Sequence, residues 1–143
     1  MSTEIPGQVM PMIAVASVDA TRDFYVDKLG FTHVMGMVGK DGHLDFVTVV
    51  LGGARIMFSR GPADHRAAPH APAAKQSVEL YLQVENVDAH HDRVKRNGLR
   101  VSDPLTLQWW SGRTFKVLDP NGYEIWFYTH VADAKPPQGA KLV

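Results

Sequence analysis

No cysteine occurs in the chain, and that one absence removes disulfides, thiolate zinc sites and cysteine nucleophiles together. An excess of charge of either sign is missing too. Fifteen Lys and Arg balance 15 Asp and Glu, so the bulk charge gives no electrostatic footprint for nucleic acid or an anionic membrane. No apolar run is long enough to span a bilayer, and the opening MSTEIPGQ is polar, without the apolar segment of a secretory leader. A cytoplasmic protein without nucleic-acid or membrane partners is therefore expected. A glycine-rich phosphate loop is also lacking, because LGGAR (Leu51 to Arg55) has neither the length nor the lysine of one. Ser111 has no recognisable His and Asp partners, which leaves a hydrolase triad unsupported.

What is present is ordinary globular composition, 45% apolar and 21% charged over 143 residues, enough for one domain built of two small modules. VASVDATRD from Val15 and VENVDAHHD from Val84 repeat each other. Val15/Val84, Val18/Val87, Asp19/Asp88, Ala20/Ala89 and Asp23/Asp92 are identical pairs separated by 69. The same offset recovers Phe46/Phe115, Gly53/Gly122, Ile56/Ile125 and Phe58/Phe127. One register held across separate stretches marks a duplicated module.

Each copy reads as βαβββ. Strands are expected at Val9–Val15 and Val78–Val84, followed by helices at Ala20–Leu29 and Ala89–Asn97. Asp19 and Asp88 stand at the helix starts as caps or dipole partners, and Gly30 and Gly98 end the helices. Three strands follow in each copy: Thr32–Met37, Leu44–Leu51 and Ala54–Arg60, then Arg100–Leu105, Arg113–Leu118 and Tyr123–Thr129. LGGAR and DPNGY supply the last hairpin turns. Module one spans about 8–60 and module two about 76–131. A Pro- and Ala-rich linker or lid lies at about 61–75, and the tail 132–143 reads as an extended or disordered arm. The fold class is α+β, with cupped mixed sheets enclosing a cavity and helices on the outer face.

Strand parity separates two faces. Ile13, Val15, Ile56, Phe58, Leu80, Leu82, Val84, Ile125 and Phe127 share one parity and are all apolar. The other parity carries Met10, Met12, Ala14, Arg55, Met57, Ser59, Glu79, Tyr81, Gln83, Glu124, Trp126 and Tyr128. Thioethers, aromatic plates and a few hydrogen-bonding groups are what a pocket for an organic ligand needs. The competing reading is a filled interior, against which Glu79 weighs, unless Arg55 or Arg113 pairs with it. His90 and His91 fall early in a helix and are expected to be solvated, while His65 and His70 fall in the linker.

The helix entries VASVDATRDFYVDKLGF and VENVDAHHDRVKRNG, with WWSGRTFKVLDPNGYEIWF at the last hairpin, resemble the vicinal oxygen chelate superfamily of glyoxalases, bleomycin resistance proteins and dioxygenases. The likeness covers about Val9 to His130 and is closest in pattern to metal-free members like the bleomycin resistance proteins. It implies paired modules around a ligand cavity. In the metalloenzymes of this family the ligands stand on the first and last strands of each module. Those positions carry over to Met10, Met57, Glu79 and Trp126 here, a set with one good ligand. The resemblance therefore implies a homodimer, without cofactor or metal, that sequesters an aromatic or amphipathic small molecule. Met57, Glu79, Tyr81, Trp109, Trp110, Arg113 and Trp126 are its candidate ligand-binding residues, the WWSGR loop matching the cleft-bordering loop of resistance-protein-like members. Trp109 and Trp110 are equally readable as dimer-interface aromatics. The alternative is a glyoxalase-like lyase or isomerase, metal-dependent or with Glu79 as general base, or with a metal site on His43, Asp45 and Glu79.

Overall fold

A computed structural model describes residues 7–61, 78–131, 133 and 135–143. The stretch expected as linker or lid lies, from residue 62 onward, outside the described residues.

Module one comprises β1 (Met12–Val15), α1 (Val18–Asp23), a π-helical turn (Phe24–Lys28), β2 (Thr32–Val38), β3 (Leu44–Leu51) and β4 (Ala54–Arg60). Module two comprises β5 (Glu79–Gln83), α2 (Val87–Arg96), β6 (Val101–Leu107), β7 (Gly112–Leu118) and β8 (Glu124–His130). The sheets run β1-β4-β3-β2 and β5-β8-β7-β6. In each, the first strand pairs parallel to the last and the others pair antiparallel. The architecture is α+β, two mixed four-stranded sheets, and neither sheet closes on itself.

The helix starts differ from expectation in one respect. Ser17 and Asn86 are the caps, their side chains accepting from the Ala20 and Ala89 N–H groups. Asp19 and Asp88 occupy the first turns, where a carboxylate favours the helix dipole. Each also holds the neighbouring sheet: Asp19 Oδ2 accepts from Leu44 N at 3.0 Å, and Asp88 pairs with Arg113. Gly30 and Gly98 adopt φ of 85° and 82° after the helices, the left-handed conformation that a side chain resists.

The core lies between helices and sheets. Ile13, Val15, Val47, Val49, Ile56 and Phe58 meet Val18, Tyr25 and Leu29 in module one; Leu82, Phe115, Val117, Ile125 and Phe127 meet Val87 and Val94 in module two. The parity reading holds for β1, β4, β5 and β8. One repeat assignment needs correction. Phe46 pairs with Ser59, whereas Phe115 pairs with Phe127, so Phe46 is not the counterpart of Phe115. Val47 is that counterpart, and it is as fully buried as Phe115. The cause is the last hairpin. Residues 51–54 connect Val50 to Arg55, while 119–123 connect Leu118 to Glu124, one residue more.

His90 is a second correction, since it is buried rather than solvated. The second turn of α2 aims it at the sheet, with its ring centroid 4.4 Å from that of Phe127 and 6.0 Å from that of Phe115.

The modules meet on the helix side. Lys28 Nζ donates to the Asn97 carbonyl at 2.8 Å, and Asn97 Nδ2 donates to the Lys28 carbonyl at 3.1 Å. Residues 28 and 97 are 69 apart, so this exchange is reciprocal between equivalent positions, which requires an approximate two-fold axis beside the pair. Tyr25 Oη donates to Asp119 Oδ2 across the same junction at 2.9 Å.

Candidate functional site

Parity leaves the second face of each sheet away from the core. In sheet two, strand register aligns Tyr81, Trp126, Lys116 and Asp103 in one row. The Tyr81 and Trp126 rings stack, 5.5 Å between centroids and 4° between planes. Trp110 and Tyr128 meet edge to face at 5.5 Å, and each lies edge-on to Tyr81 at 6.4 Å. Four aromatic rings thus form one wall, offset-stacked and T-shaped as ring quadrupoles prefer. Tyr81 remains 51% exposed, so the wall is open.

Polar groups edge this wall. Trp126 Nε1 donates to Glu79 Oε1 at 3.1 Å. On the other side Lys116 Nζ lies 5.3 Å from the Trp126 centroid, a cation–π distance, and pairs with Glu124 at 3.1 Å and Asp103 at 3.6 Å. Burial works to lower the Lys116 pKa, but these carboxylates outweigh it and the pKa is raised. Burial, then the charges of Glu79 and Glu124, raises that of Tyr81. At neutral pH the wall therefore presents a charged ammonium and a neutral phenol.

The loop before β7 places Trp110. Gln108 N–H donates to Gly112 O and Ser111 N–H to Gln108 O, closing a tight turn with Ser111 at φ 68°. A Cβ on Gly112 would fall 1.9 Å from the Trp110 ring, so the indole lies over a glycine because only a glycine leaves room. Ser111 Oγ donates to the Asp133 carbonyl, tying the loop to the chain after β8.

Of the seven residues singled out in the sequence, Glu79, Tyr81, Trp110 and Trp126 come together here. Met57 lies in sheet one, in a row with Met12, Thr48 and Met35. Trp109 is 47% exposed and joins no ring pair among the described residues. Arg113 is on the other face, since its parity matches buried Phe115. Its guanidinium is bound to Asp88 at 2.9–3.1 Å, which raises its pKa and lowers that of Asp88. Glu79 finds its partner in Trp126, not in Arg55 or Arg113. Lys116, Asp103 and Tyr128 belong to the wall and were not singled out. The alternation in RTFKVL was the available signal, since it sets Lys116 opposite Phe115 and Val117.

The four residues that the family resemblance sets at ligand positions, Met10, Met57, Glu79 and Trp126, do not suit an ion. Met10 and Met57 offer soft thioethers, and the Trp126 indole N–H is a donor only, already spent on Glu79. His43, Asp45 and Glu79 do not assemble either. His43 faces Asp19 at 3.4 Å, Asp45 faces Arg60 at 3.4 Å, and Glu79 is in the other sheet. Among the described residues no three His, Asp or Glu side chains gather where they would hold an ion. No helix among these residues is long and apolar enough to cross a membrane.

A bleomycin resistance protein of Geobacillus stearothermophilus is 27% identical over 134 residues, covering 87% of this chain and 97% of the relative. One from Staphylococcus aureus matches to the same extent. Among solved structures, TnmS3, an antibiotic binding protein from Streptomyces sp. CB03234, superposes with a TM-score of 0.68 at 20% identity, over 91% of this chain and all of that one. A glyoxalase-related enzyme from Clostridium phytofermentans gives 0.71 at 16% identity, over 92% and 100%. Binders and enzymes thus share this fold. The family model named Glyoxalase/Bleomycin resistance protein/Dioxygenase superfamily matches residues 7–127, and the chain belongs to that superfamily.

Proposed function

We propose that the protein binds an aromatic or amphipathic small molecule against the open wall of sheet two, by sequestration, without a metal and without turnover. The observation that carries this reading is the stacked Tyr81–Trp126 pair, left open to solvent and framed by Trp110 and Tyr128. A flat ligand extends such a stack. Glu79, Glu124 and Asp103 face one Lys116 on this wall, which favours a ligand that also carries positive charge. The names of the 27% identical relatives make bleomycin the first probe.

We further propose that the binding species is a homodimer. Met12 is 53% exposed, and β2 exposes Val34, Met35, Met37 and Val38 together. Exposed apolar side chains gathered on an edge strand mark an interaction surface. In such a dimer the exposed methionines of one copy's sheet one cover the sheet-two wall of the other copy, turning an open wall into an enclosed cleft.

Isothermal calorimetry with bleomycin tests the site. Trp126→Ala is expected to weaken binding by about 1–3 kcal/mol, the range for a buried stacking aromatic. Unchanged affinity in this variant removes the wall as the site. Absence of binding to the parent protein removes bleomycin and leaves other aromatic cations to be screened by tryptophan quenching.

A further inference from the structure

The approximate two-fold axis matches each helix with the last hairpin of the other module, and the two halves use that meeting differently. Beside α1, the 119–123 connection fills the space with polar groups. Asp119 and Asn121 are buried, Asp119 accepting from Tyr25 Oη and Asn121 Nδ2 donating to Thr21 Oγ1 at 3.1 Å. Beside α2 the corresponding turn is Gly52-Gly53, which has no side chains to offer. A Cβ on either glycine would meet nothing within 4 Å among the described residues. Where one half holds a carboxylate and an amide, the other has a cleft of about 580 Å³.

Behind the wall of that cleft lies a polar atom with an unmet hydrogen bond. Thr21, which is bonded in its own half, has His90 as its counterpart 69 residues on. His90 is only 9% exposed and lines the cleft, and its Nε2 is buried without a hydrogen-bond partner among the described residues. Such an orphan costs free energy unless something bonds to it. Burial, then the charge of Arg93, lowers the His90 pKa to about 4, so the ring is neutral at physiological pH and has one donor and one acceptor nitrogen.

The charge on the walls indicates what that something is. Among the described residues, Arg93 and Arg96 line the cleft against a single carboxylate, Glu85, leaving an excess of positive charge. Arg93 reaches across the module junction, its guanidinium carbon 3.1 Å from where a Gly30 Cβ would be. A planar guanidinium suits a carboxylate geometrically as well as electrostatically.

We propose that this cleft is a second binding site, for a small organic acid whose carboxylate is held by Arg93 and Arg96 and whose second polar group bonds His90 Nε2 once the ring turns outward from its buried position to meet it. The ligand stands where Asp119 and Asn121 stand in the other half. His90, Arg93 and Arg96 lie on the helix side of the sheets, and the cleft borders the aromatic wall at Gln83, which pairs with Tyr128.

Long-range proton–nitrogen spectra of protein labelled with nitrogen-15 in histidine report the His90 ring directly. Succinate, glutarate and inorganic phosphate are titrated at matched ionic strength. A saturable shift of His90 Nε2 with a dicarboxylate is expected, with affinity lowered about tenfold or more in Arg93→Gln and in Arg96→Gln, as for loss of a charge-assisted bond. Arg96 is on the exposed helix surface, so Arg96→Gln remains informative if Arg93→Gln disturbs the packing on Gly30. Three results overturn the proposal: no His90 shift with either dicarboxylate, phosphate saturating more tightly than both, or shifts that persist unchanged in both arginine variants.

Discussion

A single tryptophan illustrates how residue chemistry and strand register combine. Trp126 is held from three directions, by the Tyr81 ring, by the Glu79 carboxylate on its N–H and by the Lys116 ammonium near its ring. It is therefore a fixed plate rather than a mobile side chain, and a fixed plate loses little entropy when a ligand stacks on it. Gly112 has the converse role, giving up a side chain so that Trp110 can occupy its place. Gly112→Ala is expected to displace the indole and destabilise the fold by about 1–3 kcal/mol, as overpacking does. Urea midpoints and the near-ultraviolet dichroism of the tryptophans check this, and an unchanged tryptophan signal contradicts the packing argument. His90 also has a signature at this scale. Below pH 6.5 an unfolded chain protonates this imidazole, whereas the folded one does so only near pH 4. Stability is expected to fall as pH drops through that window, and to fall less in His90→Gln, as measured by denaturant titration.

At the scale of elements, the strands and the two-faced sheets were legible because period-two alternation in β1, β4, β5 and β8 matches burial closely. The 69-residue offset gave the module order for the same reason: helix caps and hairpin turns recur where the backbone requires them. Legibility failed where the repeat breaks. One added residue in the last hairpin of module two moves β7 by one register step against the repeat, and parity carried across that hairpin by offset alone pairs the wrong residues. Arg113 was misplaced for a related reason. Motif spacing put it beside the tryptophans, but its side chain alternates to the helix side, where Asp88 binds it. The wall's electrostatics were invisible because Lys116 acquires meaning only from Trp126, Glu124 and Asp103 on neighbouring strands. Another consequence belongs to the same hairpin. Burial, then Asp119, raises the Tyr25 pKa well above the ordinary tyrosine value of 10.0. As pH rises past 10 the unfolded chain releases this proton and the folded chain does not, so stability declines. Tyr25→Phe is expected to flatten that alkaline decline, while costing about 1–3 kcal/mol at neutral pH for the Asp119 oxygen left without its donor.

For the whole molecule, the exposed methionines of sheet one make association testable. Sedimentation velocity is expected to give a dimer for the parent protein and a monomer for Met35→Lys, and a parent that sediments as a monomer refutes the dimer. Plasma mass spectrometry of tag-free protein, purified without chelator and then incubated with manganese, nickel and zinc, is expected to find no stoichiometric metal. A near-stoichiometric ion would return the enzyme reading to first place. The reciprocal contact on the approximate two-fold axis has a different implication. When two identical chains meet about an axis, the residue beside it must face its own copy, so Lys28 would confront another Lys28. Two ammonium groups would then compete and repel where here one ammonium and one amide divide the work, each capping the other's carbonyl. That division of labour is open only to a chain that carries both halves. Covalent duplication thus allowed the junction to become a specialised heterodimer within one polypeptide, and the same freedom let one half fill its cleft while the other kept its cleft open.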